Sequence, residues 1–239
     1  MDNDDAILQP EYPPPAIDAP YDALLDELAP PRAPKQARSR AKRTRLLDAA
    51  LEVFEAHGYD GATIDAIAAK AGVSVGVFYS YFRSKRQMLL TLSHERVEQL
   101  RFNLADIDPA QMTFENLNAN LLIQLQVARR FAGLRRARRE LGLKDPEIAR
   151  YEREQRQNLR AQVADLIMRG RKAGRFWPDL DDVAAATAIL AMNAQLQEWV
   201  TELSEDEERR VAYTAAMAIA RLLLADPGSL PKSAPRDDV

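Results

Sequence analysis

Between Thr63 and Lys85 the chain places hydroxyls, small apolar side chains, aromatic rings and, at its end, the ammonium group of Lys85 at spacings suited to gripping a polyanion. Nothing in this stretch is equipped to make or break a bond. Thr63 precedes an apolar run at Ile64, Ile67 and Ala68 and has the side chain of a helix N-cap. Its hydroxyl and the unbonded N–H groups of the first turn suit a phosphate. Gly72 stands where a chain leaving a helix takes a left-handed residue. Ser74 can cap a short helix over 75–81, and Ser84 can cap the next one. Two short helices joined by such a turn form a helix-turn-helix, whose second helix enters the major groove of duplex DNA. That helix offers Val75, Val77, Tyr79, Ser80 and Tyr81 as surface candidates, with Phe78 and Phe82 turned inward. Two adjacent aromatics cannot share one helix face. The alternative is that Tyr79 and Tyr81 only pack the small domain. The helix carries no Arg, Asn or Gln, so base readout would rest on thymine methyls, hydroxyls and DNA shape. Lys85 opens the next helix, where positive charge opposes the helix dipole, and a phosphate partner explains it better than helix stability does.

These residues need a scaffold, and the periodicity predicts an all-α one. A first helix over about 38–57 buries Leu46, Leu47, Ala50, Leu51 and Phe54 and ends at Gly58. After the helix-turn-helix, a helix from Ser84 toward Asp106 leads away, and Pro109 marks a break. Further helices are expected over about 113–131, 134–141, 146–172, 181–203 and 206–225. Pro146 fits a first helical turn and Gly174 a stop. The organisation expected is an acidic, Pro-rich disordered tail over 1–34, a DNA-binding domain with a basic N-terminal arm over 35–88, a helical ligand-binding and dimerisation domain over 89–228, and a loose C-terminal tail over 229–239.

Arg45 to Met88 resembles the N-terminal domain of the TetR family of bacterial transcriptional regulators. The likeness runs through Ala49, Ala50, Phe54, Gly58, Thr63, Ile67, Ala68, Ala71, Gly72, Val73, Ser74, Gly76, Phe78, Tyr79, Tyr81, Phe82, Ser84, Lys85 and Leu89. The resemblance implies that Ser74, Val75, Val77 and Tyr79 face the groove, and that Tyr81, Lys85 and Thr44 meet phosphates. It also implies a homodimer built through the last two helices, a palindromic operator, an unknown small-molecule effector that releases the DNA, and repression as the outcome. The last two helices are rich in alanine, which lets helices approach closely.

Net charge is −3, yet its distribution suits a DNA partner. Residues 1–31 hold eight acidic and no basic side chains, and 32–45 hold seven basic and no acidic ones. That local excess is what phosphate binding requires, although a solvated linker would look the same. Residues 129–175 carry fifteen basic and six acidic side chains. They read either as a mouth for an anionic ligand or as a solvated face paired with Glu140, Glu147, Glu152 and Glu154. Asn118, Gln155, Gln162, Thr187 and Asn193 lie near apolar stripes and could orient a ligand in an apolar cavity.

With no Cys, two His and no glycine-rich phosphate loop, the chain reads as neither an enzyme nor a cofactor or metal protein. No apolar run reaches the ~20 residues of a membrane span, so no membrane partner is expected and a cytoplasmic location is. A second reading is a DNA-bound scaffold with no small-molecule inducer, controlled by a protein partner.

Overall fold

The computed structural model describes residues 37–96 and 107–226. The expected tails, and the end of the helix expected to reach Asp106, lie outside them. Nine α-helices are present among the described residues: α1 (Ala37–Gly61), α2 (Ile64–Lys70), α3 (Val75–Tyr79), α4 (Lys85–Arg96), α5 (Phe114–Arg130), α6 (Ala132–Lys144), α7 (Pro146–Lys172), α8 (Asp182–Trp199) and α9 (Glu205–Leu223). Short 3-10 turns cover Pro109–Gln111 and Val200–Glu202. The all-helical expectation holds; an isolated antiparallel bridge joins Phe176 to Leu224.

Most helix starts are set by side-chain caps. Asp145 accepts the N–H groups of Glu147 and Ile148, and Pro146 occupies the first turn of α7. Asp181 does the same for α8 through Val183 and Ala184. Ser204 and Glu207 form a reciprocal capping box at α9. Gly58 does not end α1 outright. It kinks it at φ 66°, and one more turn follows to Gly61.

Two apolar cores result. The first gathers Leu46, Leu47, Ala50 and Phe54 of α1, Ile67 of α2, Phe78 and Phe82 around α3, and Met88, Leu89 and Leu92 of α4. It also takes in Leu134, Ala137 and Leu141 of α6 and Ile148 and Tyr151 of α7. The second joins Leu121 and Leu125 of α5, Ala164 and Ile167 of α7, Ala185 and Ala186 of α8, and Ala212, Ala216, Ile219 and Leu223 of α9. Helix α7 therefore runs through both cores.

Helices α1 and α6 approach unusually closely. A methyl group placed on Gly133 would lie 2.4 Å from the Glu55 Cα, so only glycine lets α6 pass there. Around that crossing, Arg136 donates to the Glu55 carbonyl oxygen at 2.7 Å, and Lys144 pairs with Asp60 at 2.5 Å. Arg86 of α4 bridges to Asp145 (2.7 Å) and Glu147 (2.8 Å) at the start of α7. On the opposite flank α6 is tied to α8: Arg135 reaches the Gln197 carbonyl (2.9 Å) and Glu198 (2.8 Å), and Arg139 pairs with Glu198 as well.

Of the arginines read as a possible anion mouth, Arg129 pairs with the buried Glu208, Arg138 with Glu152, and Arg135 and Arg139 with Glu198. Arg136 holds a backbone carbonyl. Pairing is the better description of this face, with partners largely different from those sequence proximity suggested.

Candidate nucleic-acid interface

The caps expected around the turn are present. Thr63 Oγ1 accepts the N–H of Ala66 at 3.1 Å and is exposed, which leaves its O–H free to donate outward. Gly72 has φ 66°, as a left-handed helix exit requires. Ser74 Oγ accepts the N–H of Val77 at 3.3 Å and sits exposed at the start of α3. Ser84 Oγ receives the N–H of Gln87 at 3.0 Å and starts α4.

Helix α3 is five residues long and two-faced. Phe78 is fully buried, packing edge-on to Tyr79 and tilted against Phe82. Tyr79 is 51% exposed, which puts its ring on the outer face. Val75 is half-buried, and half-buried Val77 leans on the first core. Thr44 is exposed on α1, on the same helix as the exposed Arg38, Arg40 and Arg45.

Two residues expected at phosphates are bonded to groups of the domain itself. Tyr81 is only 8% exposed, and its hydroxyl lies 2.9 Å from Ser39 Oγ near the start of α1. Lys85 Nζ donates to the carbonyl oxygens of Tyr59 (2.6 Å) and Ala62 (2.8 Å), with the Tyr59 ring 4.3 Å away. Those carbonyls belong to the end of α1 and the turn after it, where helix carbonyls lack intrahelical donors and attract a cation. Burial pushes the Lys85 ammonium below its ordinary value, with Lys144 adding to the effect and Asp60 and Glu140 opposing it. An ammonium has three donors, so one N–H remains for an outside acceptor. Sequence reasoning missed this anchoring because Tyr59 and Ala62 meet Lys85 only through the fold.

The five residues proposed to orient a ligand are spread over three helices, α5, α7 and α8. Asn118, Gln155 and Gln162 are half-buried on α5 and α7. Thr187 is exposed on α8, and its hydroxyl donates to the Val183 carbonyl at 2.7 Å. Asn193 faces α5 and donates to Gln124 Oε1 at 2.5 Å. Gln124, absent from the sequence reading, in turn donates to Asn120 one turn earlier.

The outward stripe of α8 holds Val183, Ala184, Thr187, Ala188 and Ala191, and Trp199 lies exposed at its end. Leu222 is exposed on α9. By contrast Ala185, Ala186, Ala212, Ala215, Ala216 and Ala220 are packed within the subunit. The alanine-rich seam thus divides into an inner set and an outer set.

The sequence model of bacterial regulatory proteins, tetR family, matches residues 46–92, which are the helices just described. Over 67 residues, 28% of this chain, the protein is 42% identical to the uncharacterized HTH-type transcriptional regulator TtgW of Pseudomonas putida, covering 50% of that protein. It is also 42% identical over 67 residues to the HTH-type transcriptional regulator SrpR of Pseudomonas putida, covering 32% of it. The chain thus spans half or less of these relatives' length. Among solved structures, SmeT, the repressor of the Stenotrophomonas maltophilia multidrug efflux pump SmeDEF, superposes with a TM-score of 0.58 at 21% identity, covering 81% of this chain and 97% of that one. A SmeT–triclosan complex gives 0.60 at 20% identity, covering 82% and 100%. At that identity the likeness is one of fold. No helix among the described residues is long and apolar enough to cross a membrane.

Proposed function

We propose that this chain, which carries a TetR-family DNA-binding domain at residues 46–92 within a TetR-type fold, acts as a homodimeric transcriptional repressor released from a palindromic operator by a small molecule. The observation that carries the DNA reading is the division of α3: Phe78 is buried in the first core while its neighbour Tyr79 is half exposed, on a helix capped by the exposed Ser74. A capped helix that anchors by one aromatic and offers the next outward is built to lie in a groove. Ser74, Val75 and Tyr79 then meet base edges, with Val77 at the margin. Thr44, Thr63 and the remaining N–H of Lys85 meet phosphates. Tyr81 acts on DNA through Ser39, by fixing the start of α1.

Pairing through the outer stripe of α8 with Leu222 of α9 supports two heads on one operator. Half-buried Asn118, Gln155 and Gln162, with Asn193, remain the polar positions of the effector domain. SmeT, which is similar in fold, is a repressor and forms a complex with triclosan, which favours an effector-released repressor over a scaffold controlled by a protein partner.

The test is selection of duplexes from a random pool by the full-length protein, followed by anisotropy with the enriched sequence. A palindromic enrichment is expected. Thr63→Ala should weaken all duplexes by a similar factor, whereas Tyr79→Phe should change the ranking among operator variants. Absence of any enriched sequence overturns the reading.

A further inference from the structure

Resting on that effector-responsive reading, we propose that Asn193 is the polar anchor of the effector site and that the effector is a neutral, mainly apolar molecule with one hydrogen-bonding group, donor or acceptor alike. The argument begins with an orphaned atom. Asn193 Oδ1 is buried and has no hydrogen-bond partner, although its own Nδ2 donates to Gln124 at 2.5 Å. A buried amide oxygen without a donor is costly, and protein structures rarely tolerate one without a use.

Chemistry around the atom restricts what could satisfy it. On α8, no ionisable side chain occurs between Asp182 and Glu198. On α5, none occurs between Glu115 and Arg129. Arg129 is already bound to Glu208 and the Leu203 carbonyl, and Glu198 to Arg135 and Arg139. Leu121 belongs to the second apolar core, and half-buried Leu117, Ile189, Met192 and Leu196 from the same two helices pack against it. Neither of the two helices that carry the amides offers a free counter-charge beside them, so an apolar body with one polar group fits there better than a charged one.

Both donors and acceptors suit the site because Asn120, Gln124 and Asn193 form a ladder of three amides. In the arrangement present, Gln124 donates to Asn120 and Asn193 donates to Gln124. The oxygen and nitrogen ends of an amide have nearly the same shape. Turning all three over preserves both ladder bonds with their directions reversed. Asn120 then donates to Gln124, Gln124 donates to Asn193, and Asn193 presents N–H where it presented oxygen. Half-buried Asn120 ends the ladder at the surface side, where either polarity is easily met.

The experiment uses the full-length protein and four probes of matched shape: thymol, its methyl ether, para-cymene and para-isopropylbenzoate, with binding measured by calorimetry. Thymol donates, the ether only accepts, and the hydrocarbon does neither. Thymol and the ether should each bind about three- to tenfold more tightly than para-cymene, the weight of one net hydrogen bond. The benzoate should bind most weakly. Asn193→Leu should erase the advantage of both. Gln124→Glu is an acceptor toward both neighbours, so it should lock Asn193 with its oxygen outward, keeping the thymol advantage and losing that of the ether. The second variant decides should Asn193→Leu fail to fold.

Equal binding of the three neutral probes, preference for the benzoate, no binding at all, or an ether advantage that survives Gln124→Glu each overturns the proposal. Operator release is read separately. Thymol that binds through Asn193 without releasing DNA leaves the anchor standing and removes effector control. Release that ignores Asn193→Leu does the reverse.

Discussion

The Glu140 carboxylate accepts the backbone N–H of Tyr59 at 2.7 Å, so α6 grips α1 directly after its kink. The N–H of Asp60 reaches the same oxygen at 3.3 Å. A methyl group on Gly58 would come within 2.6 Å of that carboxylate, at a residue whose φ is 66°. Gly58→Ala should therefore lose about 1–3 kcal/mol for the left-handed backbone and also push Glu140 off its two donors. Urea denaturation of Gly58→Ala, Glu140→Ala and the double variant checks this. The double variant should lose less than the two single losses combined, because one contact is being removed twice. Strict additivity would mean that Glu140 does not seat on the kink.

Gly133→Ala tests the tight crossing of α1 and α6. Its Cβ would meet the Glu55 backbone, which cannot step aside as a long side chain can. We expect about 1–3 kcal/mol of destabilisation from overpacking, with α6 displaced from α1. Gly142→Ala on the same helix serves as the control, since its Cβ would meet only the Glu152 carboxylate at 3.3 Å. Equal stability of the two variants would contradict the packing described.

Acid stability should depend on Arg86. Burial alone would raise the Asp145 carboxyl, but the hydrogen bond from Arg86, with the N–H groups of Ile148 and Glu147, holds it below the usual aspartate value. The folded protein thus releases this proton at lower pH than the unfolded chain does. Its stabilising contribution is present above about pH 4 and is lost as pH falls through the folded value. Glu198 behaves in the same sense: burial opposes, and Arg139 and Arg135 prevail. Urea midpoints of Arg86→Met should fall less steeply than those of the wild type between about pH 5 and about pH 3, where aspartates titrate. An unchanged acid limb would show that Arg86 does not govern Asp145.

Charge placed on the two sets of alanines should separate assembly from folding. Ala188→Glu lies on the outer stripe and should give folded monomers by sedimentation, with operator affinity down on the order of a hundredfold through loss of the linked second head. Ala216→Glu lies inside the second core and should unfold the subunit instead, because a buried unpaired carboxylate is costly. A dimeric Ala188→Glu protein would move the interface elsewhere.

Local signals in the sequence are legible where punctuation and caps decide. Asp145, Pro146 and Gly174 delimit α7, and the expected 146–172 is the helix observed. Thr63 and Ser74 cap as their types require. Helix α6, expected to stop before Gly142, continues to Lys144, since one glycine inside a helix costs only about 1 kcal/mol and packing overrides it. Contacts between distant residues are not legible. Lys85 on the Tyr59 and Ala62 carbonyls, Tyr81 against Ser39, and Asn193 on Gln124 all depend on how helices meet. The alanine pattern of α8 and α9 likewise names close packing without saying which alanines face inward.

The double fastening of α6 limits the degrees of freedom left to the molecule. Glu140, Arg136 and Gly133 secure it to α1, and Arg135 and Arg139 secure it to the end of α8. Head and outer helix are thereby one mechanical member. Two copies joined along α8 could change the distance between their heads by rolling as whole subunits about the seam, or by opening one flank of α6. The first route breaks no ion pair between α6 and its neighbours within a subunit. The second would register as simultaneous loss of amide protection at Tyr59 and around Glu198, so hydrogen exchange distinguishes a rocking pair from an unlatching one.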